Sequence, residues 1–207
     1  MLRPVFTLCA LTLASAAGAG QYNAVMNIGD AMPSFESLPI AAGGTLSSSA
    51  LDEDVVVLVS LANHCPWVRG MDGDLVELVD DMQGKSVRVV AFSVNHREED
   101  RLPAMKKHAE ETGYNFAYVY DDSQALGRDL GATHTPEYFV FDKARKLVYT
   151  GALYDSPAKM GSDGKPHYMN GEPKVHYVSD AVDATLAGKP VKVAETSAPG
   201  CTVEYER

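Results

Sequence analysis

The sequence predicts an α/β protein in which helices cover both faces of one mixed β-sheet. Three observations support this fold class: strand-like and helix-like segments alternate, the first two strands are nearly continuous runs of β-branched residues, and two later strands follow each other at hairpin spacing. Parallel strands buried on both faces have this apolar character. The 207 residues fit one domain of ordinary size.

The first half of the predicted domain has the order β-α-β-α. After an irregular segment, residues 21–51, the run at residues 54–61 predicts the central strand. Apolar residues spaced by three and four then predict a helix from about Pro66 that closes at Gly84. Residues 87–94 predict a second buried strand, and residues 103–111 a second helix that ends before Gly113.

The second half adds strands that complete a mixed sheet. Residues 116–120 predict a third strand and residues 123–130 a short helix. Residues 138–142 and 146–150 are separated by a short turn, which is typical of a hairpin. A polar, Gly-rich loop is predicted at residues 155–173, and the last amphipathic helix at residues 178–186.

The N-terminus has the pattern of a secretory signal peptide, residues 1–19. Arg3 precedes an apolar run, residues 4–13, that is too short to span a bilayer, and small residues suited to cleavage follow it. Cleavage would remove Cys9 and leave a domain at residues 20–190 with no membrane span, followed by a tail, residues 191–207, that carries Cys201. We therefore expect a periplasmic or secreted protein in an oxidising compartment, where a disulfide is permitted.

The composition argues against a nucleic-acid-binding protein and against a disordered one. The formal net charge of −10 would repel phosphate backbones, so nucleic acid is a poor partner. With 45% hydrophobic and 22% charged residues, the chain can form a core, which excludes a disordered protein.

Cys65 lies where a buried strand gives way to a helix. Ligand and active sites of such sheets lie at the carboxyl ends of the strands. Pro66 suits the first turn of the helix, and the unpaired N–H groups there favour an anionic sulfur. This position predicts a nucleophilic thiol, with a buried structural cysteine as the alternative.

Four segments resemble the thioredoxin-like redoxin group, which includes peroxiredoxins and thiol-disulfide oxidoreductases. They are the opening at residues 28–35 (IGDAMPSF), the turn at residues 63–68 (NHCPWV), the segment at residues 131–142 (GATHTPEYFVFD), and the tail at residues 188–191 (GKPV) and 199–201 (PGC). The resemblance implies a thioredoxin-like sandwich without a cofactor. It also implies that Cys65 is the catalytic nucleophile and that Pro136 is a cis-proline. His64 and Pro136 would shape the site, and the Thr135 backbone would be left open to pair with an extended substrate.

The active-site turn departs from the group's patterns at two positions. A dithiol of the C-x-x-C type needs a second cysteine at position 68 or 62, and these positions hold Val68 and Ala62. Position 62 is also where peroxiredoxins carry a threonine. The turn therefore offers one thiol. Because the predicted mature chain has two cysteines, we expect Cys65 and Cys201 to pair in a disulfide, and the sequence leaves open whether Cys201 is a resolving, structural or free cysteine.

These observations predict a thiol oxidoreductase that acts on disulfides or peroxides and exchanges with a thiol/disulfide redox partner protein or a small thiol. A copper-binding or chaperone protein of the same fold is the alternative, with Cys65, His64 and His134 as ligands. A degenerate redoxin domain without catalysis is a further alternative. The acidic residues at 98–100 are interpreted as helix N-terminal charge, and four histidines as surface residues: His96, His108, His167 and His176.

Overall fold

A computed structural model describes residues 20–207, so the predicted signal peptide at residues 1–19 lies outside the described residues. The helices are α1 (Pro66–Asp81), α2 (Leu102–Thr112), α3 (Ala125–Leu130) and α4 (Tyr177–Leu186). The strands are β1 (Leu38–Pro39), β2 (Thr45–Leu46), β3 (Val55–Ser60), β4 (Val87–Ser93), β5 (Ala117–Tyr120), β6 (His134–Thr135), β7 (Glu137–Phe141), β8 (Leu147–Gly151), β9 (Ala158–Met160), β10 (Pro166–Tyr168) and β11 (Cys201–Thr202).

The central sheet is mixed and has the strand order β5-β4-β3-β7-β8. Strands β3, β4 and β5 pair in parallel, whereas β7 is antiparallel to both β3 and β8. The predicted fold class is therefore confirmed, and the predicted elements occur in the predicted order. Their ends differ from the predicted ones by at most three residues, as expected where helices and strands fray.

Strand β3 lies at the centre of the sheet, and both of its faces are buried. Val55, Val57 and Val59 contribute to one hydrophobic cluster, and Val56 and Leu58 to the other. This alternation follows from the two-residue period of a strand. A strand covered on both sides needs apolar residues at every position, which explains the continuous β-branched run.

Helices supply the other half of each cluster. Leu75 of α1 and Val182 of α4 pack on the face that carries Val57, and Leu130 of α3 packs on the opposite face with Phe139 of β7. No helix within residues 20–207 is long and apolar enough to cross a membrane.

The segment predicted as a polar loop, residues 155–173, contains the antiparallel pair β9 and β10. This prediction was wrong because the two strands are short and carry polar, exposed residues, which hides the alternation that marks a strand. Strand β9 packs tightly on α1 at Gly70. A Cβ atom at Gly70 would lie 2.6 Å from the backbone nitrogen of Met160, so only glycine permits this contact.

The C-terminal segment runs back over the edge of the domain. The backbone N–H of Thr150 donates to Ala194, and that of Thr196 donates to Thr150. Further along, β11 pairs antiparallel with β6, and Val203 is buried in the cluster on the α3 face. Residues 191–207 therefore make backbone and core contacts with the domain.

Candidate active site

Cys65 caps the N-terminus of α1 and follows the carboxyl end of β3. Its backbone is extended, Pro66 begins the helix, and the Cys65 carbonyl accepts a hydrogen bond from the Arg69 N–H at 3.0 Å. Proline fits here because the first N–H groups of a helix have no partner within the helix. The Cys65 side chain is fully buried, in the cluster that includes Val59 and Val68.

The loop that faces Cys65 contains the cis Thr135–Pro136 bond, as predicted. The Cys65 Sγ–H donates a hydrogen bond of 3.1 Å to the carbonyl oxygen of Thr135. The strand-to-helix turn and the cis-proline loop, which are 70 residues apart in the sequence, thus meet at one sulfur atom.

Cys201 lies at the same place. In the pairing of β11 with β6, Cys201 is directly opposite Thr135. Its thiol is a neighbour of the Cys65 thiol, and both cysteines are free thiols in the structure. Burial first, and then the hydrogen bond and charge of Cys65, raise the pKa of Cys201 to about 12, although the nearby Lys159 and Arg97 oppose this. The structure therefore joins Cys65, Thr135, Pro136 and Cys201 in one cluster.

One sequence-based expectation for this loop was wrong. The Thr135 backbone was expected to leave its edge open, but β11 pairs along it through Cys201 and Thr202. The partner strand lies 66 residues further along the chain, and its composition does not mark it as a strand. Local pattern could not predict this pairing.

His64, the neighbour of Cys65, is held by a buried carboxylate. Nδ1 of His64 lies 2.6 Å from Oδ2 of Asp100, and the His64 backbone N–H donates to Oδ1 of Asp100 at 3.2 Å. Asp100 is fully buried, whereas 15% of the His64 side chain is exposed. Burial raises the pKa of Asp100, and the charge and hydrogen bonds of His64 oppose this rise.

The sequence interpretation missed Asp100. It follows Glu98 and Glu99, and the three carboxylates were assigned to solvated helix N-terminal charge. The two glutamates are exposed, but Asp100 turns inward, where its carbonyl oxygen also accepts the Ser93 hydroxyl proton at 3.3 Å. Three adjacent acidic residues carry no sequence signal that singles out the buried one.

Glu137 was also missed, and it shapes the cis-proline loop. It is 4% exposed, and its Oε2 accepts the backbone N–H groups of Thr133 at 2.8 Å and His134 at 3.0 Å. Burial raises the pKa of Glu137, and these hydrogen bonds oppose the rise. Its sequence position, directly after Pro136, was the available signal that it supports the loop.

The alternative metal site is not assembled. Within residues 20–207, no three His, Cys, Asp or Glu side chains are gathered in a way that would hold a metal ion. Cys65, His64 and His134 therefore do not form the ligand set that the copper-binding hypothesis requires.

Two other histidines are less exposed than predicted. Nε2 of His108 lies 3.2 Å from a carboxylate oxygen of Asp72, and that carboxylate also accepts the Tyr114 hydroxyl proton. Nδ1 of His96 lies 2.6 Å from a carboxylate oxygen of Glu206 in the C-terminal segment. The side chains of His96 and His108 are 22% and 16% exposed, so both rings are partly buried rather than fully solvated.

Comparisons with known proteins identify the family of this chain. The family model described as Redoxin matches residues 27–163, a range that includes Cys65 and Pro136 and ends before Cys201. No curated protein matches the chain.

Among solved structures, an uncharacterized conserved protein from Geobacillus kaustophilus is 32% identical and has a TM-score of 0.75, over 87% of this chain and 93% of its own. A hypothetical protein from Sinorhizobium meliloti 1021 is 27% identical, with a TM-score of 0.77 over 87% of this chain and 96% of its own.

A third similar structure has a functional description. It is a thiol:disulfide interchange protein of the thioredoxin family from Chlorobium tepidum TLS, with 23% identity and a TM-score of 0.51 over 60% of this chain and 86% of its own. At this identity the likeness shows the fold, which is thioredoxin-like. The predicted resemblance to the redoxin group is confirmed, and the chain belongs to the Redoxin family.

Proposed function

We propose that the protein is a thiol oxidoreductase in which Cys65 is the nucleophile and Cys201 resolves the oxidised intermediate. The observation that carries the proposal is that both cysteines meet at Thr135: Cys201 is paired directly opposite it, and the Thr135 carbonyl accepts the Cys65 Sγ–H at 3.1 Å. Membership of the Redoxin family supports the same reaction class. Cys201 supplies the second thiol that positions 62 and 68 lack.

The reaction has two steps. With a hydroperoxide ROOH, the Cys65 thiolate attacks the terminal oxygen, the O–O bond breaks, and protonation of the leaving alkoxide gives ROH and Cys65–SOH. The Cys201 thiol then forms the S–S bond and the hydroxyl leaves as water. With a disulfide RSSR, the same attack gives Cys65–S–S–R and RS⁻, and Cys201 displaces the second thiol. Two equivalents of an external thiol, or one dithiol, restore both cysteines.

Neighbouring groups support the assignment of Cys65 as the attacking thiol. Cys65 caps the N-terminus of α1, which places its sulfur against the Thr135 carbonyl. The raised pKa of Cys201 keeps that residue protonated at neutral pH, which suits a thiol that attacks second. Asp100 orients His64 next to Cys65, and Glu137 holds the loop that presents Thr135 and Pro136.

The location and partner are part of the proposal. The apolar run at residues 4–13, followed by small residues, supports a signal peptide at residues 1–19 and a periplasmic or secreted protein. The exchange partner would be a thiol protein or a small thiol, and no cofactor takes part. Residues 20–190 would form the redoxin domain, and residues 191–207 the tail that brings Cys201 to it.

The test counts leaving groups with an aromatic disulfide that releases a coloured thiolate. Cys9 is replaced by Ser, so that Cys65 and Cys201 are the remaining thiols. Because Cys201 displaces the second leaving group, we expect two coloured thiolates per protein and a Cys65–Cys201 disulfide in the peptide mass spectrum. The Cys201→Ser variant should release one thiolate and retain the adduct on Cys65. The proposal fails if Cys65→Ser reacts as fast as the parent protein, or if the parent protein releases two thiolates but carries a separate adduct on each cysteine and no Cys65–Cys201 disulfide.

A further inference from the structure

Strand β11 fills the edge of β6, which is where an extended polypeptide would have to pair to reach Cys65. Cys201 and Thr202 are opposite Thr135 and His134, and the Val203 N–H donates to the Thr133 carbonyl at 2.9 Å. Polypeptides that bind by strand addition need a free edge with unpaired N–H and C=O groups. Here that edge is already paired by residues 201–203 of the protein itself. They belong to a segment, residues 200–206, which we call the C-terminal strap.

The strap is fitted to this place by Gly200. A Cβ atom at position 200 would lie 2.8 Å from the carbonyl carbon of Thr135 and 3.1 Å from its nitrogen. Both atoms belong to the backbone and cannot rotate away. The absence of a side chain at Gly200 therefore lets the strap approach closely enough for the Cys201 thiol to be a neighbour of Cys65.

The remainder of the strap is anchored along its length. The Glu204 N–H donates to Oδ1 of Asn95 at 3.0 Å, and the Glu204 carbonyl accepts from Nε2 of Gln124 at 2.9 Å. The Tyr205 hydroxyl donates to the Ala132 carbonyl at 2.7 Å. Arg97 forms an ion pair with the Glu204 carboxylate. The strap is held by both backbone and side-chain contacts, so a competing strand would have to displace all of them.

We propose that the C-terminal strap restricts the oxidant of Cys65 to small molecules, namely a low-molecular-weight hydroperoxide or disulfide, and excludes polypeptide disulfides. This inference rests on the proposed function and names its substrate class. A polypeptide must bring its sulfur to Cys65 along the Thr135 edge, where Cys201 already lies. A small oxidant needs to place one atom beside the Cys65 sulfur, and a brief local opening of the strap admits it.

The restriction depends on residues outside the matched domain. The Redoxin model covers residues 27–163, and the strap begins at Gly200. The same strap therefore performs two tasks: it supplies the second thiol through Cys201, and it covers the fully buried Cys65. Separating these tasks requires a variant that keeps the strap and lacks the thiol, and a second variant that displaces the strap.

The experiment measures how fast Cys65 is consumed in a chain that carries Cys9→Ser and Cys201→Ser, so that each encounter gives one adduct. The three probes are hydrogen peroxide, the mixed disulfide of cysteine and glutathione, and the same mixed disulfide within an extended peptide. We expect the peptide to react about tenfold or more slowly than the small disulfide, because it needs the occupied edge. The two small probes distinguish a hydroperoxide from a small disulfide as the preferred oxidant.

Gly200→Ala is then added to displace the strap, and Gly73→Ala is the matched control. A Cβ at Gly73 meets nothing within 4 Å, so this change leaves the site intact. We expect Gly200→Ala to raise the rate at which Cys65 reacts with the peptide about tenfold. The rates with the two small probes should change about threefold or less, because only the peptide needs the β6 edge. Glu204→Ala removes the exposed ion pair with Arg97, keeps the backbone hydrogen bonds of the strap and adds no atom near Thr135. It is a milder second test, and it should raise the rate of the peptide in the same direction by a smaller factor.

Each outcome bears on one of the two proposals. If the peptide reacts as fast as the small disulfide in the chain with Gly200, or if neither Gly200→Ala nor Glu204→Ala favours the peptide, the restriction by the strap is wrong and the proposed function stands. If Cys65 reacts with none of the three probes in any variant, the proposed function itself is wrong.

Discussion

His64 and Asp100 form a buried pair directly beside the candidate nucleophile, with Nδ1 of the histidine 2.6 Å from the carboxylate. The carboxylate also accepts the backbone N–H of His64, so one buried group fixes both the ring and the main chain of the residue that precedes Cys65. Since a buried charge is tolerated when it is paired and hydrogen bonded, each partner depends on the other.

His64→Ala should lower the free energy of unfolding by roughly 2 to 4 kcal/mol at neutral pH, because it leaves Asp100 buried without its partner. Burial already raises the pKa of Asp100, and removing His64 raises it further. A carboxyl with a raised pKa loses its stabilising contribution as pH rises through that pKa. The destabilisation by His64→Ala should therefore be larger near neutral pH than at about pH 4, as urea unfolding at both values would measure.

His167→Ala is the matched control for this change. His167 pairs with Asp163 at 3.0 Å, but both side chains are largely exposed. Exposed ion pairs contribute about 0 to 1 kcal/mol, so this variant should have nearly wild-type stability. Equal losses in the two variants would show that burial of the His64–Asp100 pair has no energetic role.

The titration of Cys201 should depend on Cys65. Burial, the hydrogen bond and the charge of Cys65 together raise the pKa of Cys201 to about 12. In Cys65→Ala the last two contributions vanish, so the pKa of Cys201 should fall toward its ordinary value while burial keeps it above that value. Thiolate absorbance or alkylation rate as a function of pH would measure the fall, with Cys9 replaced by Ser. An unchanged titration would contradict the contact between the two thiols.

Glu137 should support the cis-proline loop through hydrogen bonds rather than through charge. Glu137→Ala leaves the N–H groups of Thr133 and His134 without an acceptor, and should cost about 2 to 4 kcal/mol in the free energy of unfolding. Glu137→Gln keeps an acceptor oxygen and should cost about 1 kcal/mol or less at neutral pH.

The same pair of variants tests the pKa of Glu137. Because burial raises that pKa, the wild-type protein should lose stability as pH rises through it, and Glu137→Gln should lack this part of the loss. Unfolding by urea between about pH 4 and pH 7 would measure the difference. A parallel pH dependence in the wild-type and Gln proteins would show that the carboxyl titrates normally.

Replacement of two glycines of α1 by alanine should change the free energy of unfolding in opposite directions. At Gly70 the added Cβ would lie 2.6 Å from the Met160 nitrogen and 2.8 Å from the Lys159 Cα. We therefore expect Gly70→Ala to lower the free energy of unfolding by about 1 to 3 kcal/mol. At Gly73 the added Cβ meets nothing within 4 Å. The better helix propensity of alanine should therefore raise the free energy of unfolding by about 0.5 to 1 kcal/mol. Chemical denaturation measures both, and a gain in stability for Gly70→Ala would show that β9 is not packed on α1.

The sequence pattern predicted those strands and helices whose formation depends on residues close together in the chain. The buried run that became β3 and the proline after Cys65 specify a central strand and a helix start, and both are present. The cis bond before Pro136 was predicted from the likeness of its segment to a family pattern, and it is also present.

The features that sequence did not predict depend on contacts between distant residues. Asp100 and Glu99 are adjacent acidic residues, but Asp100 is buried against His64, 36 residues away in the sequence, whereas Glu99 is exposed. The pairing of Cys201 with Thr135 joins segments 66 residues apart, and β9 and β10 lack the alternation of a half-buried strand. Sequence patterns depend on residues that are close together in the chain, so they do not predict contacts between distant segments.

The pairing of β6 with β11 has a kinetic consequence for the two cysteines. Two sulfurs that met by diffusion would lose translational and rotational freedom at each encounter, whereas here folding has already restricted that motion. The effective concentration of Cys201 at Cys65 should therefore lie far above the roughly millimolar values that short flexible linkers provide. An external thiol at ordinary concentrations would then seldom reach an oxidised Cys65 before Cys201 does.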